Sequence, residues 1–348
     1  MLLLGEKDML KIACYGVRPN EISFFNDLNK YNFELTLIED LLTHENIDTA
    51  AAHDAVLLRG NCVADAINLE KMNDFGIKYV FTRTVGFNHI DLEAAAKYNM
   101  EVARVPSYSP NAIAELALTL AMMLLRNTAY TTNRTAYKNF IVDEKMFSKE
   151  IRNCTVGIIG TGRIGVTEAK LFKGLGAKVI GYDVFQSDIA KEVLEFKEMD
   201  ELLAEADIVS LHVPYFPGQN DKMINAEFLS KMKNDAILIN TARGELQDNE
   251  AILEALQNDT LGAFGTDVFA NEKDLFFKSF QPWQALPDAT VQQLVDMYPR
   301  VLVTPHVGSN TDEALSNMIE TSFENFNDIL TTGKTANAVE LPKVTVNA

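Results

Sequence analysis

Residues 156–165 read Val-Gly-Ile-Ile-Gly-Thr-Gly-Arg-Ile-Gly, an apolar strand that runs into a turn punctuated by glycine. The spacing Gly160-x-Gly162-x-x-Gly165 narrows the local fold to strand, tight turn and helix. Gly160 permits the turn, Gly162 lets a pyrophosphate approach the main chain, and Gly165 lets the helix lie close to the strand. The helix start, with Arg163 and Ile164, offers unpaired N–H groups and a positive dipole end to the phosphates. Helical spacing continues over residues 164–175, and a second strand, residues 178–183, ends at Asp183, 18 residues beyond Gly165. A carboxylate there accepts hydrogen bonds from both ribose hydroxyls and repels a 2′-phosphate, so the pattern favours NAD over NADP.

The 348 residues suffice for two domains of ordinary size. Strand patterns at 11–15, 34–39, 55–58, 78–83 and 101–106 alternate with helical spacing at 20–30, 65–75 and 91–98. That rhythm predicts a doubly wound parallel α/β domain, whose ligands sit beyond the C-terminal strand ends. Arg59, Val85 and Gly86 fall at such ends. Residues 111–127 form a long helix with an apolar face broader than a surface helix needs, which places it between domains or at a subunit contact. Residues 128–150 read as mixed and polar. A second alternating series follows, with strands at 208–214, 236–240, 263–269 and 301–306 and helices at 199–206, 224–232 and 249–257. Residues 273–298 read as irregular, 312–330 as a final helix and 331–348 as loose tail.

A net charge of −18 argues against nucleic acid and against anionic membranes as partners. An anionic substrate would then need a local cluster of positive charge. The first eight residues are too short and too acidic for a signal peptide. Cys14, Cys62 and Cys154 show neither metal spacing nor a CxxC pair, so no metal site is expected and a reducing cytoplasm fits.

Three strand ends of the second series lead to charged residues: Arg243, Glu272 and His306. Strand ends of one parallel sheet converge on one edge, so these three can meet. Arg243 offers a planar fork of donors to a carboxylate and a keto oxygen. His306 belongs to the residue type that exchanges protons near neutrality, and Glu272 can fix its tautomer and favour its protonated form. This chemistry suits reduction of a 2-oxo acid, with the hydride supplied by the nicotinamide. His89 and His212 read as structural.

The chain resembles the D-isomer-specific 2-hydroxyacid dehydrogenases over nearly its whole length, and most closely their D-lactate and (R)-2-hydroxyglutarate dehydrogenase branch. Matching segments are Thr84-Val-Gly-Phe-Asn-His-Ile-Asp91, Tyr108-Ser-Pro-Asn-Ala-Ile-Ala-Glu115, Gly160 to Gly165, Leu211-His-Val-Pro214, Asn240-Thr-Ala-Arg-Gly244 and Thr304-Pro-His306. The resemblance implies a Rossmann NAD-binding domain, residues 108–308, inserted into a flavodoxin-like substrate domain of residues 1–107 plus 309–348. It implies a homodimer that uses the long helix after Pro110. It assigns Arg243 to substrate binding, His306 to proton donation and Glu272 to support of the imidazole. The substrate carboxylate falls to the Val85 and Gly86 amides, with Tyr108 alongside. Val213 and Pro214 fall along the adenosine, Asp267 near the nicotinamide, and Thr241 and Ala242 also in the cofactor site.

Two departures bear on the substrate. In D-lactate enzymes of this family the position of Arg59 is commonly uncharged or aromatic and touches the substrate side chain. Aromatics often follow the catalytic histidine, where this chain has Gly308-Ser309-Asn310. Smaller residues enlarge the pocket, and Arg59 can pair a second carboxylate, which favours 2-oxoglutarate beside a lactate-type acid. Arg59 can equally pair with a protein acid such as Asp65. Some relatives of this fold are NAD-sensing transcriptional corepressors, but the intact Arg243, Glu272 and His306 set speaks against that class.

Overall fold

The structure, a computed structural model, describes residues 9–342, so the reading of the N-terminal eight residues and of the last six lies outside it. The chain separates into two units, residues 9–109 with 311–342, and residues 110–310. The boundaries expected from the resemblance fall two residues earlier at each crossing.

The first unit is built on β1 (Lys11–Tyr15), β2 (Glu34–Ile38), β3 (Ala55–Leu58), β4 (Tyr79–Thr82) and β5 (Glu101–Ala103). The strands are all parallel in the order β2-β1-β3-β4-β5. β3 is buried at every residue, as a central strand covered on both faces must be. The helix Asp312–Thr332 covers one face. Its Phe323 and Phe326 are fully buried, with Phe326 stacked on Phe81 at 4.3 Å between ring centroids. The chain beyond this helix is not loose as far as residue 342. Asn325 accepts from Thr335 Oγ1 at 2.7 Å, Ala338 bridges Ala103, and the Val339 amide donates to Val102 at 2.8 Å. This segment blunts the edge of β5, a job that its polar composition does not reveal.

The second unit carries β6 (Thr155–Ile159), β7 (Lys178–Tyr182), β8 (Glu195–Phe196), β9 (Ile208–Leu211), β10 (Ile237–Asn240), β11 (Ala263–Thr266) and β12 (Val301–Val303). They form one parallel sheet in the order β12-β11-β10-β9-β6-β7-β8. The winding reverses between β6 and β9, which opens a crevice at their C-terminal ends. The helix Pro110–Leu125 packs on β10, β11 and the helix Arg163–Gly174 of its own unit. Ala117, Leu120, Ala121 and Leu124 are buried there, so much of the breadth of its apolar face is absorbed inside this unit. Two sequence readings are corrected. Residues 128–150 begin with a helix, Thr128–Ala136, and then expose Tyr137, Phe140, Ile141, Val142 and Phe147. The stretch 273–298 contains the helix Ala289–Asp296, which is capped by Asp288 and sinks Val291 and Leu294 into the core. Its two short turns and polar sides gave too little periodicity to read.

All three cysteines are free and buried. Among the described residues no single helix is long and apolar enough to cross a membrane.

Candidate active site

The glycine turn lies at the crevice between β6 and β9. Gly160 has φ +91°, and a Cβ there would lie 2.7 Å from the His212 carbonyl carbon, so only glycine fits. A Cβ at Gly165 would lie 2.0 Å from the Gly160 carbonyl oxygen, which is the close helix–strand approach that the spacing requires. Gly162 differs: a Cβ there would meet nothing within 4 Å. The main chain is therefore open to a ligand at this residue, at the start of the helix Arg163–Gly174, where the first-turn N–H groups have no intrahelical partner. Asp183 follows β7, and its carboxylate accepts from the Thr161 amide at 2.6 Å and from the Phe185 amide at 3.0 Å. That ties the acid to the turn it serves. Val213 and Pro214 follow β9, and Thr241 and Ala242 follow β10 on the same edge. The Thr241 hydroxyl is buried without a hydrogen-bond partner, an orphan that a bound polar ligand would satisfy. Open space, free donors and an orphaned hydroxyl all fit a dinucleotide.

The ends of β10, β11 and β12 are neighbours and lead to Arg243, Glu272 and His306. Arg243 is exposed, and its Nη1 donates to the Ala242 carbonyl at 2.7 Å. Its turn is braced by Asn240, which is wholly buried. Asn240 Nδ2 donates to the Arg243 carbonyl at 2.9 Å and to Gln247 Oε1 at 2.7 Å, while its Oδ1 accepts from the Ala242 amide at 3.0 Å. Gly244 packs so tightly on the Phe269–Ala270 main chain that a Cβ would lie 2.0 Å from the Phe269 carbonyl carbon. His306 Nδ1 lies 2.6 Å from Glu272 Oε1. The imidazole is partly exposed, with φ +53° in the left-handed region. A non-glycine residue costs roughly 1–2 kcal/mol there. Asp267 holds the conformation: its carbonyl accepts from the His306 amide at 3.0 Å. Its carboxylate accepts from Thr304 Oγ1 at 2.5 Å and from the Val307 and Gly308 amides at 2.9 and 2.8 Å. Burial holds this carboxyl above the ordinary aspartate range against the pull of those three donors.

In the first unit, Arg59 follows β3 at the crevice where the winding reverses between β1 and β3. It is half-buried among Arg18, Arg83 and Glu21. Arg83 Nη2 pairs with Glu21 Oε2 at 2.9 Å, in full burial, and donates to the Gly16 carbonyl at 2.7 Å. Burial, helped by the Arg18 and Arg83 charges, pulls the Arg59 guanidinium down to about 10. Asp65 caps the helix Ala66–Asp74 and pairs with His44 Nε2 at 2.8 Å. The amides of Val85 and Gly86 donate to no group among the described residues, while their carbonyls accept from Arg104 Nη1 and Thr84 Oγ1. Two adjacent free donors suit an anion. Tyr108 is half-buried, and its carbonyl accepts from Asn317 Nδ2 at 2.8 Å.

Sequence reasoning passed over Asn240, Gln247 and Glu168. The signal for Glu168 was a carboxylate on the buried face of a helix, among Val166, Ala169 and Phe172. That for Asn240 was an amide closing an otherwise apolar strand.

A nucleotide crevice beside a bonded imidazole–carboxylate pair defines an NAD-dependent oxidoreductase of the doubly wound class. Residues 118–308 match the family model of the D-isomer specific 2-hydroxyacid dehydrogenase NAD binding domain. The chain belongs to that family. It is 40% identical over 321 residues to the aromatic 2-oxoacid reductase of Clostridium sporogenes (strain ATCC 15579), covering 92% of this chain and 96% of that one. It is 37% identical over 330 residues to the D-lactate dehydrogenase of Lactiplantibacillus plantarum, covering 93% and 98%. The solved structure of D-lactate dehydrogenase with NAD+ from Lactobacillus jensenii superposes with a TM-score of 0.83 at 39% identity, covering 96% of this chain and all of that one.

Proposed function

We propose that the chain reduces a 2-oxo acid of the lactate type to the (R)-2-hydroxy acid, with Arg243, Glu272 and His306 as its catalytic residues. Bound NADH supplies the hydride. Because Nδ1 of His306 is taken up by Glu272, Nε2 is left to carry a proton to the oxygen of the substrate. Arg243 binds the substrate carboxylate and polarises the keto group with its fork of donors. We assign the Val85 and Gly86 amides and Tyr108 to substrate binding. Gly160, Gly162, Arg163, Ile164, Gly165, Asp183, Val213, Pro214, Thr241, Ala242 and Asp267 serve the cofactor. The observation that carries this reading is the 2.6 Å contact between His306 and Glu272. The test is His306→Gln with pyruvate and NADH: turnover falls by about three orders of magnitude while NADH still binds. Turnover near that of the parent would remove the assigned proton donor.

A second reading concerns the substrate alone. Arg59 lies beside the Arg18 and Arg83 guanidinium groups, both of which pair with Glu21. A guanidinium at the C-terminal end of β3, in this cluster of positive charge, favours an acid with a second carboxylate, 2-oxoglutarate, bound through Arg59. A panel of pyruvate, phenylpyruvate, 2-oxoisocaproate and 2-oxoglutarate separates the two readings.

We also infer a homodimer working in the reducing cytoplasm. The exposed apolar side chains of Tyr137, Phe140, Ile141, Val142 and Phe147 support the first, and three free cysteines support the second. Sedimentation at micromolar concentration tests the dimer, and a monomer there would exclude it.

A further inference from the structure

Behind the glycine turn lies a buried imidazole–carboxyl pair that the reaction does not use. Glu168, in the second turn of the helix Arg163–Gly174, has a side chain with no exposure, and that of His212, the residue after β9, is 1% exposed. His212 Nε2 lies 2.5 Å from Glu168 Oε2 and 3.4 Å from Ser210 Oγ. Glu168 Oε1 and His212 Nδ1 are both buried without a partner. The main chain of His212 is locked to the turn. Its amide donates to the Ile159 carbonyl at 2.7 Å, and its carbonyl carbon lies 2.7 Å from where a Cβ on Gly160 would be.

Stability is a poor explanation for such a pair. Apolar residues of the same volume usually do as well or better, and each unsatisfied buried atom adds a cost. What the pair does provide is electrostatic. A lone carboxylate enclosed below the first turn of this helix would oppose the helix dipole and repel any anion seated on the turn. An imidazolium at His212 would leave the pair without net charge, and the bond fixes the spacing of β6, β9 and the helix together.

We propose that His212 and Glu168 form a positioning pair for the cofactor pyrophosphate, in which His212 cancels a carboxylate buried under the phosphate-binding turn. The inference rests on the assignment of the Gly160–Gly165 turn to NAD.

The test uses the full chain and its variants His212→Gln, Glu168→Gln and the double substitution. Binding of NADH, ADP and adenosine is measured by calorimetry, with kcat and KM for NADH in parallel. In His212→Gln, NADH and ADP bind about tenfold or more weakly. Adenosine, which lacks phosphate, binds as before, and kcat at saturating NADH stays within about threefold. Glu168→Gln keeps the hydrogen bond without the charge and binds NADH within about threefold of the parent. The double variant, free of both charges, recovers to the same level. Unchanged NADH affinity in His212→Gln would overturn the proposal, as would equal losses for ADP and adenosine, or a double variant no better than the single. If His212→Gln does not fold, Glu168→Gln decides: a tenfold loss of NADH affinity there also refutes it. Failure of the cofactor assignment itself would look different, as absence of NADH binding in the parent protein.

Discussion

Nδ1 of His306 and Oε1 of Glu272 stand 2.6 Å apart, although 34 residues separate them in the chain. The contact decides which ring nitrogen can face the substrate, because a ring bound at Nδ1 has only Nε2 to offer. Glu272→Gln keeps a hydrogen-bonding side chain and deletes its charge. We expect kcat to fall about 10- to 100-fold with little change in KM for NADH. Steady-state kinetics checks this, and a kcat within twofold of the parent would take Glu272 out of the catalytic set.

Asp267 clamps the turn that bears His306. Asn at this position offers one acceptor oxygen where the carboxylate receives three donors. Leaving a buried donor unpaired costs about 1–3 kcal/mol. Asp267→Asn should therefore lower the urea midpoint and also reduce kcat, because the positive φ of His306 loses its support. A kcat preserved at reduced stability would show that the turn holds itself.

Arg59 is charged in a place that burial and two neighbouring guanidinium groups make unfavourable. Arg59→Leu removes the guanidinium from that place. Activity on 2-oxoglutarate should fall at least tenfold more than activity on pyruvate. Equal losses on the two acids would assign Arg59 to the protein interior alone.

His89 gives the first unit a defined acid response. Burial lowers its imidazole from 6.5 to about 4, and its Nε2 has no partner. Between those values the unfolded chain binds more protons than the folded one. Its contribution is thus complete above pH 6.5 and is lost as pH falls toward 4. For a half-buried ring the loss is of the order of 2 kcal/mol. His89→Gln should flatten the fall in urea midpoint over that window, and an identical slope in both proteins would show a hydrated ring.

Asp183, which we propose faces the cofactor ribose, is tied to the Thr161 amide. Asp183→Ala should raise the NADPH to NADH ratio of kcat/KM about tenfold or more. No change in the ratio would place the ribose elsewhere.

The strands were legible because those of a parallel sheet are short apolar runs. Residues 55–58 and 249–257 were read to the residue, as β3 and as the helix Asn249–Gln257. The pairing of Glu272 with His306 was legible from position alone, since both follow neighbouring strands. What composition hid was support made by polar atoms. Asn240, Asp267 and the Glu168–His212 pair act through bonds to distant main chain or to one another, and no local spacing encodes those. The order of residues 334–342 was hidden too, because Asn325 and Thr335 stabilise it by side-chain bonds instead of by apolar burial. The width of the apolar face of Pro110–Leu125 was read correctly, and the sheet beneath it accounts for much of that width.

The first unit takes Leu315, Ile319, Phe323, Phe326 and Ile329 into the same core as Ile12, Leu57 and Phe81. On the ribosome, that core stays unsealed until everything through the helix Asp312–Thr332 has emerged. Residues 110–310, whose core is contiguous in sequence, can fold while the chain is still growing. A nascent chain halted shortly after residue 310 would thus hold a finished second unit beside an open first one, with Phe81 and Phe25 bare to chaperones.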